Sequence, residues 1–212
     1  MITIQPFEVN YFSENTYVLY DETKEAVLID CGCLFPQEQK ALSDFIAQKG
    51  LTLKRLLCTH LHLDHIFGCE FVYNTYGLSP EAHKMDVDNL PSAGEQAKRF
   101  GFPMKVTDIP VKHYLVNGET VTFGESELTV LTVPGHSPGG LAFYNKKNGF
   151  VMVGDSLFAG SIGRTDLWGG NQEVLIASIN DKLLALPDET IVYPGHGPET
   201  RVIDEKLNNP YL

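Results

Sequence analysis

Apolar residues recur along this chain at two spacings. Period-two alternation and β-branched enrichment mark strands at residues 2–9, 16–20 and 26–29. From Pro36 the spacing lengthens. Leu42, Phe45 and Ile46 fall on one helical face, which predicts a helix over 36–49, opened by proline and stopped by Gly50. Residues 53–58 read as a strand and 65–76 as a helix closed by Gly77. Strands resume at 114–116, 119–123 and 128–133, with Asn117-Gly118 and Phe123-Gly124 as turn signals. A hairpin is expected from 141–144 to 150–153 around Asn148-Gly149, then a helix at 173–186, a strand at 191–193 and a polar tail. Residues 79–104 fit this rhythm poorly and read as an inserted excursion near a site mouth, with a helix-prone piece at 94–100. Strands, a helix, more strands and a helix suggest two facing sheets with helices outside. This α/β layering is expected to form a single domain over 1–212.

The polar residues gather where the strands stop. Thr59-His60-Leu61-His62-Leu63-Asp64-His65 follows the strand at 53–58 directly. Imidazole and carboxylate are ligands that suit zinc, iron or manganese. In an extended segment His60 and His62 alternate with leucines and point to one side, whereas Asp64 and His65 break the alternation and face a second point. Two further histidines, His136 and His196, each follow a strand through Pro-Gly, and the strand at 150–153 ends in Gly154-Asp155. Of seven histidines only His83 and His113 fall outside this scheme, and they are expected to be surface or satisfied residues. A metalloenzyme is the leading reading.

Composition narrows the setting. Apolar residues make up 43% and charged residues 20%, as in an ordinary globular protein. No apolar run approaches the ~20 residues of a bilayer span, and residues 1–12 lack a secretory pattern, so a cytoplasmic location is the default expectation. A formal charge of −11 argues against nucleic acid as a partner, and no membrane partner is expected. The four cysteines, Cys31, Cys33, Cys58 and Cys69, read as reduced, buried small hydrophobes, because no second close pair completes a zinc-finger pattern.

Taken in order, His60-x-His62-x-Asp64-His65, His136, Asp155 and His196 resemble the metallo-β-lactamase superfamily. Ala26-Val27-Leu28-Ile29-Asp30-Cys31-Gly32 is similar to its earlier strand motif. The resemblance implies an αββα four-layer sandwich with a dinuclear site along one edge of the two sheets. Asp155, in place of a cysteine, is similar to the glyoxalase II-like hydrolases rather than the antibiotic-degrading enzymes. Gly163-Arg164-Thr165-Asp166, Gly169-Gly170-Asn171 and the Asn-Pro-Tyr-Leu ending look like the short bacterial members of that group, which lack the helical portion that binds glutathione in full-length glyoxalase II.

The resemblance further implies that His60, His62 and His136 hold one divalent ion, and Asp64, His65 and His196 a second, with Asp155 bridging. Zinc is the first expectation, with iron or manganese as alternatives. Metal lowers the pKa of bound water from ~15.7 to near ~7, and two ions ~3.5–4 Å apart share the resulting hydroxide. The implied activity is hydrolysis of a small acyl substrate, a thioester first, with Asp64 both ligating and accepting the proton. Asp30 is a candidate to receive the free ring N–H of a ligand histidine. Arg164 either meets an anionic substrate group or makes a structural salt bridge, and Trp168 is a substrate wall or packing. The alternatives are lactone hydrolysis and an oxidoreductase like the persulfide dioxygenases, with one iron on His60, His136 and Asp155. The partner is a small acyl or thioester molecule; the oligomeric state is not readable.

Overall fold

A computed structural model describes residues 1–103 and 106–212. Its first half contains β1 (Thr3–Val9), β2 (Glu14–Tyr20), β3 (Glu25–Ile29), α1 (Pro36–Lys49), β4 (Thr52–Leu57), α2 (Leu63–Ile66), α3 (Cys69–Tyr76), β5 (Pro80–Ala82), α4 (Lys84–Asn89), α5 (Ala93–Arg99) and β6 (His113–Tyr114). The strands form one sheet in the order β1-β2-β3-β4-β5-β6, antiparallel across β1–β3 and parallel from β3 onward. The second half contains β7 (Thr120–Phe123), β8 (Ser126–Thr132), β9 (Leu141–Asn145), β10 (Phe150–Gly154), β11 (Leu157–Phe158), β12 (Ser161–Ile162), α6 (Gln172–Ser178), β13 (Ile191–Pro194), β14 (Thr200–Arg201) and α7 (Val202–Asn208). Its main sheet runs β14-β13-β10-β9-β8-β7, with β10 and β13 parallel and the other pairs antiparallel.

Four layers follow from the two-residue period of the strands. Tyr17, Leu19, Val27 and Ile29 point into a core shared with Phe143, Phe150 and Met152 of the other sheet. Their neighbours Val18, Ala26 and Leu28 point the opposite way, against Leu42 and Ile46 of α1 and Val72 of α3. In the second sheet Val151 and Val153 face outward onto Leu175 of α6 and Val202 of α7. Both faces are covered, so these strands are apolar at successive positions rather than at alternate ones. The result is the expected αββα sandwich. Among the described residues no helix is long and apolar enough to cross a membrane.

Three expectations need correction. The helix expected at 65–76 is broken into α2 and α3 at Phe67-Gly68. The carbonyl of His65, which a continuous helix would spend on Cys69, accepts from the amide of Cys31 at 2.9 Å, and the Gly68 amide donates to Cys31 O at 2.8 Å. The 79–104 segment is not a mere excursion: β5 extends the first sheet beside β4, and α4 and α5 pack behind the site; Met104 lies outside the described residues. The polar tail forms β14 and α7, with Val202 in the outer core. The helix expected at 173–186 covers α6 and continues as a π-helical stretch, Ile179–Leu183.

Candidate metal centre

The chemistry-bearing residues converge at one edge of both sheets. The loop after β4 supplies His60 and His62, and α2 supplies Asp64 and His65; the β8–β9 loop supplies His136; the ends of β10 and β13 lead to Asp155 and His196. Their possible ligand atoms fall into two groups, His60–His62–His136 and Asp64–His65–Asp155–His196, with the atoms of each group within 4.8 Å of one another. Asp155 faces both. Its Oδ1 lies 3.3 Å from His65 Nε2, and its Oδ2 lies 3.7 Å from His136 Nε2 and 3.5 Å from His196 Nε2.

The outer ring nitrogens of His60, His65, His136 and His196 are each committed to a neighbour, which fixes their orientation; that of His62, Nε2, is buried with no hydrogen-bond partner among the described residues. His136 Nδ1–H donates to the carbonyl of Arg164 at 2.7 Å, and His196 Nδ1–H to that of Phe12 at 2.9 Å. His65 Nδ1–H donates to Asp30 Oδ2 at 2.9 Å. His60 Nδ1–H meets Thr59 Oγ1 at 3.0 Å, and that hydroxyl donates onward to Asp30 Oδ2 at 2.7 Å. In His60 and His136, Nε2 therefore turns a bare lone pair inward, while His62 presents Nδ1. His136 Nε2 stands 3.2 Å from His60 Nε2 and 2.8 Å from His62 Nδ1. A tetrahedral ion with bonds of ~2.0–2.1 Å separates its nitrogens by roughly 3.3 Å, so this triangle fits a zinc-like cation.

Protonation supports the fit. Burial, reinforced by the neighbouring rings, holds His60 well below its usual range, and His62 is pushed down to about 3 by burial with His136 next. His136 is lowered too, chiefly by burial. Three neutral imidazoles are what a metal requires. In the second group burial alone would raise Asp155, but His65 and His196 hold it well below the carboxylate range, and Asp64 is lowered in the same way. Burial likewise opposes protonation of His196, yet Asp155 and Asp64 lift it to about 10. His65 Nε2 and Asp155 Oδ1 are buried without a hydrogen-bond partner among the described residues. Such atoms suit a cation better than each other.

Several residues that shape the site carry no signal in the sequence. Asn10 Nδ2 donates to the carbonyl of Asp64 at 2.9 Å, and Asn15 Nδ2 brackets His196 by donating to Pro194 O at 3.2 Å and Gly197 O at 2.9 Å. Glu14 forms a third group with Asp30 and His65. Burial drives its carboxyl well above the usual range although His65 opposes this, and the hydrogen bond from His65 Nδ1 goes to Asp30 rather than to Glu14. Gly195 packs so closely on Asp155 and His65 that a side chain would displace both. Gly154, at φ +52°, sits against Thr59 in a conformation that favours glycine.

The groups open into a cavity of about 280 Å³ walled by Phe12, Leu63, Phe100 and Leu167. Arg164 borders it, but its guanidinium forks onto Asp166 at 2.7 and 2.8 Å; its carbonyl is the part that touches the site. Trp168 lies beyond Phe100, edge-on at 5.8 Å, with the Arg99 guanidinium 5.3 Å over its ring. His83 caps α4 and His113 pairs with Glu119, both away from the centre. All four cysteines are free and buried.

Residues 9–196 match the sequence profile of the Metallo-beta-lactamase superfamily. The probable metallo-hydrolase YqgX of Bacillus subtilis is 38% identical over 93% of this chain and 92% of its own. The hydroxyacylglutathione hydrolase GloC of Haemophilus influenzae is 36% identical over 100% and 98%. Among solved structures, the BLEG-1 B3 metallo-beta-lactamase superposes with a TM-score of 0.89 at 36% identity, covering 99% of each chain. TTHA1623, solved in a di-iron-bound form, gives 0.86 at 36% identity, covering 98% of this chain and all of that one. With its four layers, its edge-on cluster of histidines and aspartates and these likenesses, the chain belongs to the metallo-β-lactamase superfamily of metal-binding hydrolases.

Proposed function

We propose that this chain hydrolyses a small acyl thioester at a dinuclear centre held by His60, His62 and His136 on one side and Asp64, His65 and His196 on the other, with Asp155 between. The observation that carries this reading is the triangle of inward ring nitrogens at 2.8 and 3.2 Å beside a paired Asp–His group. Divalent ions, when bound, supply Lewis acidity and bring the pKa of water down to ~7. The protein's part is orientation and proton handling. Asp64 Oδ2 lies 3.2 Å from His196 Nε2 and borders the cavity, so this carboxylate stays ionised and is placed to accept a proton from an attacking water. Phe12, Leu63, Phe100 and Leu167 exclude bulk solvent from the acyl group. The thiol portion extends toward Phe100 and Trp168.

Likeness to GloC along the whole chain supports a thioester, and likeness to TTHA1623 supports two metals with iron as an alternative to zinc. Metal analysis paired with a substrate panel tests the reading: thioesters of glutathione and of smaller thiols, a lactone, a β-lactam, and oxygen uptake with glutathione persulfide. Two metals per chain and thioester turnover without oxygen uptake are expected. One iron with oxygen uptake, or turnover confined to the β-lactam, rejects it.

A further inference from the structure

The three-histidine group is assembled from loops of two different sheets, and a side chain that is not one of its ligands fastens them: Asp86 of α4. It is 1% exposed. Its Oδ1 accepts from the amide of Gly139 at 2.6 Å, and its Oδ2 accepts from the amide of Leu61 at 3.0 Å and the hydroxyl of Ser137 at 3.1 Å. Leu61 lies between His60 and His62, and Ser137 follows His136. One buried carboxylate thus ties the backbone beside all three histidines. Gln96 of α5 completes the clasp: its Oε1 accepts from Leu63 N at 3.0 Å, and its Nε2 donates to Leu61 O at 3.0 Å and Pro91 O at 2.9 Å. Both backbone polar groups of Leu61 are therefore held by the α4–α5 segment.

The choice of a carboxylate is informative. Every hydrogen bond to Asp86 comes from a neutral donor, and no ion pair offsets its charge among the described residues. Both oxygens accept, so only a carboxylate satisfies all three bonds, since an asparagine would set its NH2 against a donor; its buried charge is costly without a counter-ion. A cation bound among the bracketed histidines would supply the opposite charge.

Resting on the metal reading above, we propose that Asp86 is the positioning residue of the three-histidine site, setting the spacing between its two loops and so its affinity for metal. Ligand-supporting hydrogen bonds of this kind change metal affinity by about 10–100-fold. The experiment strips the full-length chain with a chelator and titrates it with zinc and with cobalt(II) against a chromophoric competitor. Asp86→Asn should weaken one equivalent by about 10–100-fold and shift its cobalt absorption, while the other equivalent keeps its affinity. Ser137→Ala, which removes one bond and leaves the carboxylate, should weaken the same equivalent about three- to tenfold, and it answers the question if Asp86→Asn does not fold. His83→Ala uncaps the same helix and should lower the melting temperature of the apo chain without altering either affinity. Unchanged affinities in folded Asp86→Asn or in Ser137→Ala overturn the proposal alone. So does His83→Ala weakening metal as much as Asp86→Asn, because the effect then belongs to helix stability. A wild-type chain that takes up no metal overturns the underlying reading instead.

Discussion

Asp30 and His65 are buried together, with Oδ2 of the first 2.9 Å from Nδ1 of the second. The same oxygen takes the Thr59 hydroxyl that supports His60, so one carboxylate orients a histidine of each group. Asp30→Ala should cut metal content and kcat/KM by about 10–100-fold. Elemental analysis alongside kinetics checks this. Full metal content in the variant would remove Asp30 from any role in the centre.

Gly195→Ala places a methyl group against Asp155 and His65. We expect loss of the Asp–His group's metal and a turnover below about 1% of wild type, equivalent to roughly 2.7 kcal/mol or more of barrier. Gly94→Ala, in helix α5 with room around it, should be neutral or stabilising by about 0.5–1 kcal/mol. Crystal structures or cobalt spectra of both variants distinguish a displaced site from general damage.

His60→Ala and Asp155→Ala should each abolish turnover and lower bound metal, whereas His83→Ala should turn over normally and lose only its helix cap, about 0.5–2 kcal/mol by urea unfolding. Full turnover in either of the first two would show that the centre is elsewhere.

The pH dependence of stability carries its own sign. Burial raises Asp86 from its usual 3.8 to about 6, so folding favours the protonated form. The stability this contributes is complete below 3.8 and is lost as pH rises through about 6. Relative to Asp86→Asn, the metal-free wild type should therefore lose about 3 kcal/mol across that window and then level off. Urea midpoints at several pH values measure it; a flat difference contradicts the assignment.

Trp168 borders the outer end of the cleft with Phe100 and Arg99. Trp168→Ala should raise KM for a glutathione thioester severalfold, with kcat changed less than about twofold, as for a contact made equally before and during reaction. A change confined to kcat would place Trp168 in the chemistry.

The cluster of histidines and aspartates was legible in the sequence because its information is local: residue type at a strand end specifies both chemistry and position. Of the supporting residues, only Asp30 was. Asn10, Asn15, Asp86 and Gln96 act on backbone groups in distant segments, and an isolated asparagine or aspartate looks the same whether it caps a turn or fastens a metal loop. Strand β5 was missed because three residues beginning with proline are too few to show a period. The break after α2 was hidden because it depends on Cys31 capturing the His65 carbonyl.

Asn15 and Tyr17, near the start of the chain, grip the carbonyl of Pro194, which lies 179 and 177 residues further on. Contacts so far apart are the slowest to close. During synthesis the His60–His65 loop emerges with neither His136 nor His196 to complete it. Until that late clasp forms, the nascent chain presents only part of the cluster, and the full set of donors is in place only once residue 196 has been made.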